Sequence, residues 1–157
     1  MKNQKLYISH RGNLHGPNAC LENTPKYIIE AIKHGFDVEI DVWLYKNKWY
    51  LGHDEPQVLT DLNFFKNFCD RLWIHCKNLQ ALSFFIENKS LNNYFWHDTD
   101  KYTITSRGYM WCYPDVETTQ QSIIVAFGRE RYENKICLGI CSDYIVNIRD
   151  YYAPPFQ

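Results

Sequence analysis

Two carboxylates lie two residues apart in one apolar segment of the chain. Glu39 and Asp41 alternate there with Val38, Ile40 and Val42. On an extended strand, residues two apart leave the same face and lie about 6.6 Å from each other along the strand. Carboxylates held so close repel each other unless a cation lies between them, and their hard oxygens suit Mg²⁺ or Ca²⁺. The spacing predicts a divalent-metal site, although a solvated sheet face would show the same alternation.

Histidine and basic residues stand at the ends of the neighbouring apolar segments. They are His10 and Arg11 after the first segment, His53 after a short later one, and His75 and Lys77, which repeat the two-residue spacing. An arginine fork fits phosphate oxygens, and a lysine is a point charge for them. The His75 imidazole could bind the metal or donate a hydrogen bond, and each residue taken alone could also be structural. Together they suit the cleavage of a phosphodiester, in which His10 and His53 would transfer protons.

Hydrophobic periodicity places these residues at or near the carboxyl ends of predicted strands. Strand and helix signals alternate in the first half of the chain, which favours a parallel sheet with its site at those ends. Strands are predicted over residues 5–10, 36–45, 48–51, 72–77, 94–97, 109–113, 123–127 and 138–146. Helices are predicted over residues 25–34, 61–69 and 79–87, with at most a short helix at 117–121.

The length and composition limit the architecture. The chain has 157 residues, of which 45% are apolar and 22% charged, so we expect one compact domain over residues 1–157 and no extensive disorder. A complete (β/α)8 barrel takes roughly 250 residues and at least about 200. We therefore predict an α/β fold of the TIM-barrel type, reduced or incomplete, with several helices shortened or missing.

The order of the short motifs resembles the glycerophosphodiester phosphodiesterases. The motifs are HRG at residues 10–12, ENT at 22–24, VEIDV at 38–42 and GHD at 52–54, and WIHCK at 73–77 and GICSDY at 139–144 are similar to later core strands of that family. The resemblance is dense over residues 8–55. It implies a TIM barrel and metal-dependent cleavage of a small glycerophosphodiester-like molecule.

The resemblance also implies a role for each matched residue. These roles are acid–base catalysis by His10 and His53, phosphate binding by Arg11 and Lys77, metal binding by Glu39 and Asp41, and bracing of the first loop by Glu22 and Asn23. His75 stands where the family has a third metal carboxylate. An imidazole at that position shifts the preference from Mg²⁺ or Ca²⁺ toward Mn²⁺ or Zn²⁺, or leaves one ligand position to water.

Two alternatives to simple hydrolysis stay open. In the first, similar to the spider-venom phospholipases D, a neighbouring hydroxyl of the substrate attacks and a cyclic phosphate is released. In the second, the chain is a non-catalytic barrel that binds a phosphate ligand, which the small size and the missing third carboxylate would allow. Most aromatic residues are expected in the core, with Trp96 and Trp111 as candidates for ligand contact.

Charge and hydropathy exclude several classes of partner. The chain has 17 basic and 18 acidic residues, and no run of lysine and arginine exceeds two, so nucleic-acid binding is not expected. No apolar stretch approaches the roughly 20 residues of a membrane span. The polar start has no room for a signal peptide, and six cysteines without a CxxC pair are expected to be free thiols. We therefore expect a cytoplasmic protein, and strands left bare by missing helices could pair two copies into a homodimer.

Overall fold

The computed structural model describes residues 5–128, 132 and 134–152. Within them the chain forms ten strands, all in one sheet, and four helices. The strands are β1 (Leu6–His10), β2 (Asp37–Tyr45), β3 (Lys48–Leu51), β4 (Val58–Thr60), β5 (Leu72–Cys76), β6 (Asn93–Phe95), β7 (Tyr102–Ile104), β8 (Met110–Cys112), β9 (Ser122–Ala126) and β10 (Gly139–Ser142). The helices are α1 (Pro25–Lys33), α2 (Leu62–Asn67), α3 (Leu79–Glu87) and α4 (Ile145–Tyr152).

Seven parallel strands form the centre of the sheet, in the order β6-β5-β2-β1-β10-β9-β8. Antiparallel pairing adds β3 beside the carboxyl-terminal end of β2, β4 beside β3, and β7 beside β8. The sheet is curled, so that its two ends approach each other. The ring centroid of Trp111 on β8 lies 4.8 Å from that of Phe95 on β6 and 5.9 Å from that of Trp73 on β5. The fold is therefore a curled half-barrel built mainly from strands.

The predicted TIM-type barrel is wrong. A TIM barrel alternates eight parallel strands with eight helices, whereas three of the nine strand pairings in the described residues are antiparallel. The described helices have only six to nine residues. The described part of residues 96–144 holds four strands and no helix. These strands are only three to five residues long. Within the described residues they follow one another without the crossover helices that a TIM barrel has between its strands.

Several local predictions also need correction. The strand predicted over 138–146 ends at Ser142, and α4 begins at Ile145. Ile145 and Ile148 are both buried and lie three apart, which is helical spacing, but a short apolar run does not by itself distinguish a strand from a buried helix. Residues 117–121 form no helix, and the three-residue strands β4 and β7 were not predicted.

The largest apolar cluster lies between the sheet and the helices α1 to α3. Its centre is a group of aromatic rings, in which the ring centroid of Trp49 lies 5.2 Å from that of Phe65 and 5.6 Å from that of Phe85. Replacing Phe85 by alanine leaves a cavity there, and we expect the free energy of unfolding to fall by about 3–5 kcal/mol. The matched control is Ile86→Ala, because Ile86 is the next residue of α3 and is 45% exposed. Urea unfolding followed by tryptophan fluorescence measures both variants, and equal losses would contradict the assigned core.

The edges of the sheet carry exposed apolar residues. Leu59 on β4 and Ile104 on β7 are both exposed, Ile104 by 73%. An exposed edge strand offers unpaired backbone groups to another chain, which is the physical basis of the predicted homodimer. The homodimer itself stays a prediction. Among the described residues, no helix combines the length and the apolar character that crossing a bilayer requires.

Candidate functional site

The register of the parallel strands brings four predicted site residues together. His10, the last residue of β1, is paired with Glu39 of β2. Asp41 of β2 is paired with His75 of β5. Because paired residues on neighbouring strands lie about 4.8 Å apart, the register alone makes one cluster from three segments that are distant in the sequence.

Glu39 and Asp41 are buried, with exposures of 2% and 0%. The interpretation of this face as a solvated sheet surface is therefore wrong. One ligand atom from each of Glu39, Asp41 and His75 lies within 4.8 Å of the others. Oε2 of Glu39 and Oδ1 of Asp41 accept no hydrogen bond of standard geometry among the described residues; their nearest nitrogens are His10 Nε2 at 3.7 Å and His75 Nδ1 at 3.2 Å. A divalent cation between them would satisfy both oxygens, so these residues fit a metal ion.

The two nitrogens of His75 have different environments. Nε2 donates a hydrogen bond to the carbonyl oxygen of His97 at 2.8 Å, and Nδ1 faces Asp41 Oδ1 at 3.2 Å and Glu39 Oε1 at 3.6 Å. Because the carbonyl holds the hydrogen on Nε2, the lone pair of neutral His75 points at the carboxylates, as in histidines that bind metals. A second proton on Nδ1 would instead form an imidazolium between them.

Charge around His75 favours that second proton when no metal is bound. Burial lowers the pKa of His75, but its contacts with Asp41 and Glu39 outweigh burial and raise the pKa to about 9. A cation and a proton therefore compete for the same nitrogen at neutral pH.

Asp41 is held by groups from three other segments. Arg11 Nε lies 3.0 Å from Asp41 Oδ2, Lys77 Nζ lies 3.6 Å from Oδ1, and the Asn23 side chain donates to Oδ2 at 2.9 Å. The Asp41 backbone N–H in turn donates to Asn23 Oδ1 at 3.1 Å. Burial opposes ionisation, but the contacts with His75, Arg11 and Lys77 outweigh it and hold the pKa of Asp41 below its usual range. Asp41 is therefore a carboxylate.

The loop after β1 is shaped by two strained residues. Arg11 and Asn23 have φ values of 55° and 56°, and the Asn23 N–H donates to the Arg11 carbonyl at 3.0 Å. Such conformations cost energy outside glycine and persist where the surroundings determine them. Glu22 accepts from Arg11 Nη1 at 3.2 Å and from Asn13 Nδ2 at 3.1 Å. Glu22 and Asn23 thus orient the side chains of Arg11 and Asp41.

His10 is oriented by a carboxylate that we did not predict. Its Nδ1 donates to Asp143 Oδ1 at 2.9 Å, Asn13 Nδ2 donates to the same oxygen at 2.8 Å, and its Nε2 lies 3.7 Å from Glu39 Oε2. Burial lowers the pKa of His10, but Asp143 and Glu39 outweigh burial and raise it. Nε2 is therefore the nitrogen that faces the site. No signal in the sequence indicated this role, because the predicted strand continues to residue 146 and places Asp143 inside it, whereas the strand ends at Ser142.

His53 is placed by the turn after β3. Gly52 has a φ of 150°, and a Cβ there would clash with the Glu55 carbonyl oxygen, so the turn requires glycine. Trp43 Nε1 donates to the Gly52 carbonyl at 2.6 Å. The Nδ1 of His53 lies 2.7 Å from Asp54 Oδ1. Like His10, His53 is paired with a carboxylate to which the sequence had assigned no role.

A cavity of about 160 Å³ joins these groups. Its polar lining is formed by His10, Arg11, Glu39, His53, His75 and His97. Asp41 and Lys77 do not line it, and Lys77 contacts the site through Asp41. Of the two tryptophans predicted to contact a ligand, Trp111 lines this cavity and Trp96 does not.

Comparisons of the chain with protein-family models, with curated proteins and with solved structures found no match. The function of the site is therefore inferred from its own side chains. The strongest features are the buried carboxylate–histidine cluster and the two histidines that are each paired with a carboxylate.

Proposed function

We propose that this chain is a metal-dependent phosphodiesterase. The observation that carries the proposal is that one cavity is lined by Glu39 and His75 of the metal-fitting cluster, by Arg11, and by the histidines His10 and His53. A cation-binding group alone would need neither histidine. Their joint placement is what the cleavage of a diester requires: charge neutralisation, phosphate binding and two proton transfers.

Each side chain has a task that follows from its contacts. Arg11, oriented by Glu22, presents its guanidinium to a phosphate at the cavity, with Lys77 adding positive charge behind Asp41. One of His10 and His53 removes the proton of the attacking group, and the other gives a proton to the departing alcohol. A divalent cation, when bound, neutralises the phosphoryl oxygens.

The substrate in this proposal is a small diester of the glycerophosphodiester type, and its place of action is the cytoplasm. The cavity is too small for a duplex, and the net charge of −1 offers no extended basic surface for nucleic acid. Water is the attacking group in simple hydrolysis. A neighbouring hydroxyl of the substrate would instead release a cyclic phosphate.

A second candidate function is metal-free binding of a phosphate ligand. The contacts that raise the pKa of His75 favour it, because a protonated His75, Arg11 and Lys77 could neutralise Glu39 and Asp41 without a cation. Such a protein would bind a phosphate compound and release it unchanged.

Turnover of bis(p-nitrophenyl) phosphate and of a glycerophosphodiester with Mg²⁺, Ca²⁺, Mn²⁺ or Zn²⁺ separates the two functions. We expect at least one ion to support a rate about 100-fold or more above that of His10→Ala, and chelation to abolish it. The control is His34→Ala, since His34 is a half-exposed histidine on the surface after α1. Phosphorus NMR of the product distinguishes a monoester from a cyclic phosphate. Phosphate binding without turnover of either diester under any ion would establish the binding function instead.

A further inference from the structure

The cavity has a second wall of opposite chemistry. Facing the charged residues, it is lined by Trp111, Tyr113, Val125 and Phe127. These residues lie on or directly after β8 and β9, whereas the charged wall comes from β1, β2, β5 and the turn after β3. The curl of the sheet brings the two groups together, and the 4.8 Å ring contact between Phe95 and Trp111 spans that closure.

The rim of this second wall is aromatic and open to solvent. Phe127 is 65% exposed, and its ring lies 5.9 Å from that of Tyr113. The Tyr113 ring in turn lies 4.9 Å from that of His97. An exposed phenyl ring at the mouth of a charged cavity is unfavourable in water, and a ligand group that covers it recovers that free energy.

The rim offers a polar ligand one ionisable side chain, His97, whose Nε2 already donates to the carbonyl oxygen of Asp100. The Tyr113 hydroxyl donates its hydrogen to the carbonyl oxygen of Asp98 at 3.3 Å. Phe127 and Val125 have no polar side-chain atoms. The hydroxyls of a glycerol group placed there would lose hydrogen bonds to water without equivalent replacements.

We propose that the diester taken by this site carries an apolar alcohol, aryl or alkyl, which packs on Tyr113 and Phe127 while its phosphate lies against Arg11. This inference rests on the proposed phosphodiesterase function and narrows its substrate class: the alcohol on the rim is apolar, so the glycerol group of a glycerophosphodiester-type substrate lies on the other side of the phosphate. The polar wall recognises the part common to all diesters, and the aromatic wall selects among the alcohols. Phe127 is then a specificity-determining residue with no part in the chemical step.

Binding of phosphate monoesters to the full chain tests this without requiring turnover. Calorimetric titrations with Mg²⁺ present would compare phenyl phosphate, hexyl phosphate, methyl phosphate and glycerol 3-phosphate. Because the covered rim removes apolar surface from water, we expect phenyl or hexyl phosphate to bind about tenfold more tightly than the other two. Which of the two binds better identifies an aryl or an alkyl alcohol.

Variants locate the preference on the rim. Phe127→Ala is expected to weaken binding of the preferred apolar ester about fivefold and to leave the affinity for methyl phosphate within twofold. The control Ile104→Ala, which removes a similarly exposed side chain from β7, should change neither affinity. Four esters that bind equally, or a Phe127→Ala loss shared by all four, would overturn the aromatic subsite and leave the phosphodiesterase proposal standing. If no ester binds, the aromatic subsite is overturned, and turnover of bis(p-nitrophenyl) phosphate then decides separately whether the phosphodiesterase proposal stands.

Discussion

Glu39→Gln is expected to lower the affinity for a divalent cation at least about 100-fold and to reduce turnover to background. The substitution keeps the shape of a buried side chain but removes its charge and replaces one carboxylate oxygen by an NH2 group, which cannot bind a cation. Asp41 is a less suitable target, because Arg11 and Asn23 are oriented by contacts with it. Mn²⁺ titration followed by electron paramagnetic resonance measures the affinity directly.

The matched control for Glu39→Gln is Glu30→Gln. Glu30 is on α1 and its side chain is 52% exposed, so the same chemical change there should leave Mn²⁺ affinity and turnover within twofold. A Glu39→Gln protein that is folded and binds Mn²⁺ as tightly as the unmodified chain would show that the ion is held elsewhere.

His10→Gln is expected to lower kcat by about 10³-fold with little change in metal affinity. A positioned acid or base typically contributes about 10²–10⁴-fold, and glutamine keeps hydrogen-bonding capacity without the ability to transfer a proton at neutral pH. Since His10 contacts Glu39 only at 3.7 Å, the metal ligands should stay in place. Single-turnover kinetics at saturating metal measures the chemical step, and a kcat within tenfold of the unmodified chain would remove His10 from it.

Asp143→Asn separates orientation of His10 from general damage to the fold. Asp143 helps to raise the pKa of His10, so its loss should move the limb of the pH–rate profile set by His10 to lower pH. A purely structural role for Asp143 would lower the rate at all pH values without moving that limb.

The local pattern of apolar and polar residues correctly predicts the strands that hold the site residues. The alternation around Ile40 placed β2 correctly, and β3 has the predicted bounds of residues 48–51. The helix α3 has the predicted bounds of residues 79–87, and Asn78 caps it by accepting from the Ala81 backbone N–H. These features depend on side chains within a few residues of each other.

The parts that local pattern missed depend on pairing between distant segments. Asp143 reaches His10 because β10 lies beside β1, and the two residues are 133 positions apart. The three-residue strands β4 and β7 exist because each pairs with a neighbour in a hairpin. The barrel prediction failed for the same reason: local pattern predicted strands in the second half, but it did not show that antiparallel pairs would join a sheet that was expected to be parallel.

Crystals of the full chain grown with Mn²⁺, with anomalous diffraction at the manganese edge, test the account most directly. We expect one strong peak, within about 2.0–2.6 Å of an oxygen from each of Glu39 and Asp41 and of Nδ1 of His75. Saturating Mn²⁺ with no peak in the cavity, and His75 still between the two carboxylates as an imidazolium, would contradict the metal-dependent mechanism.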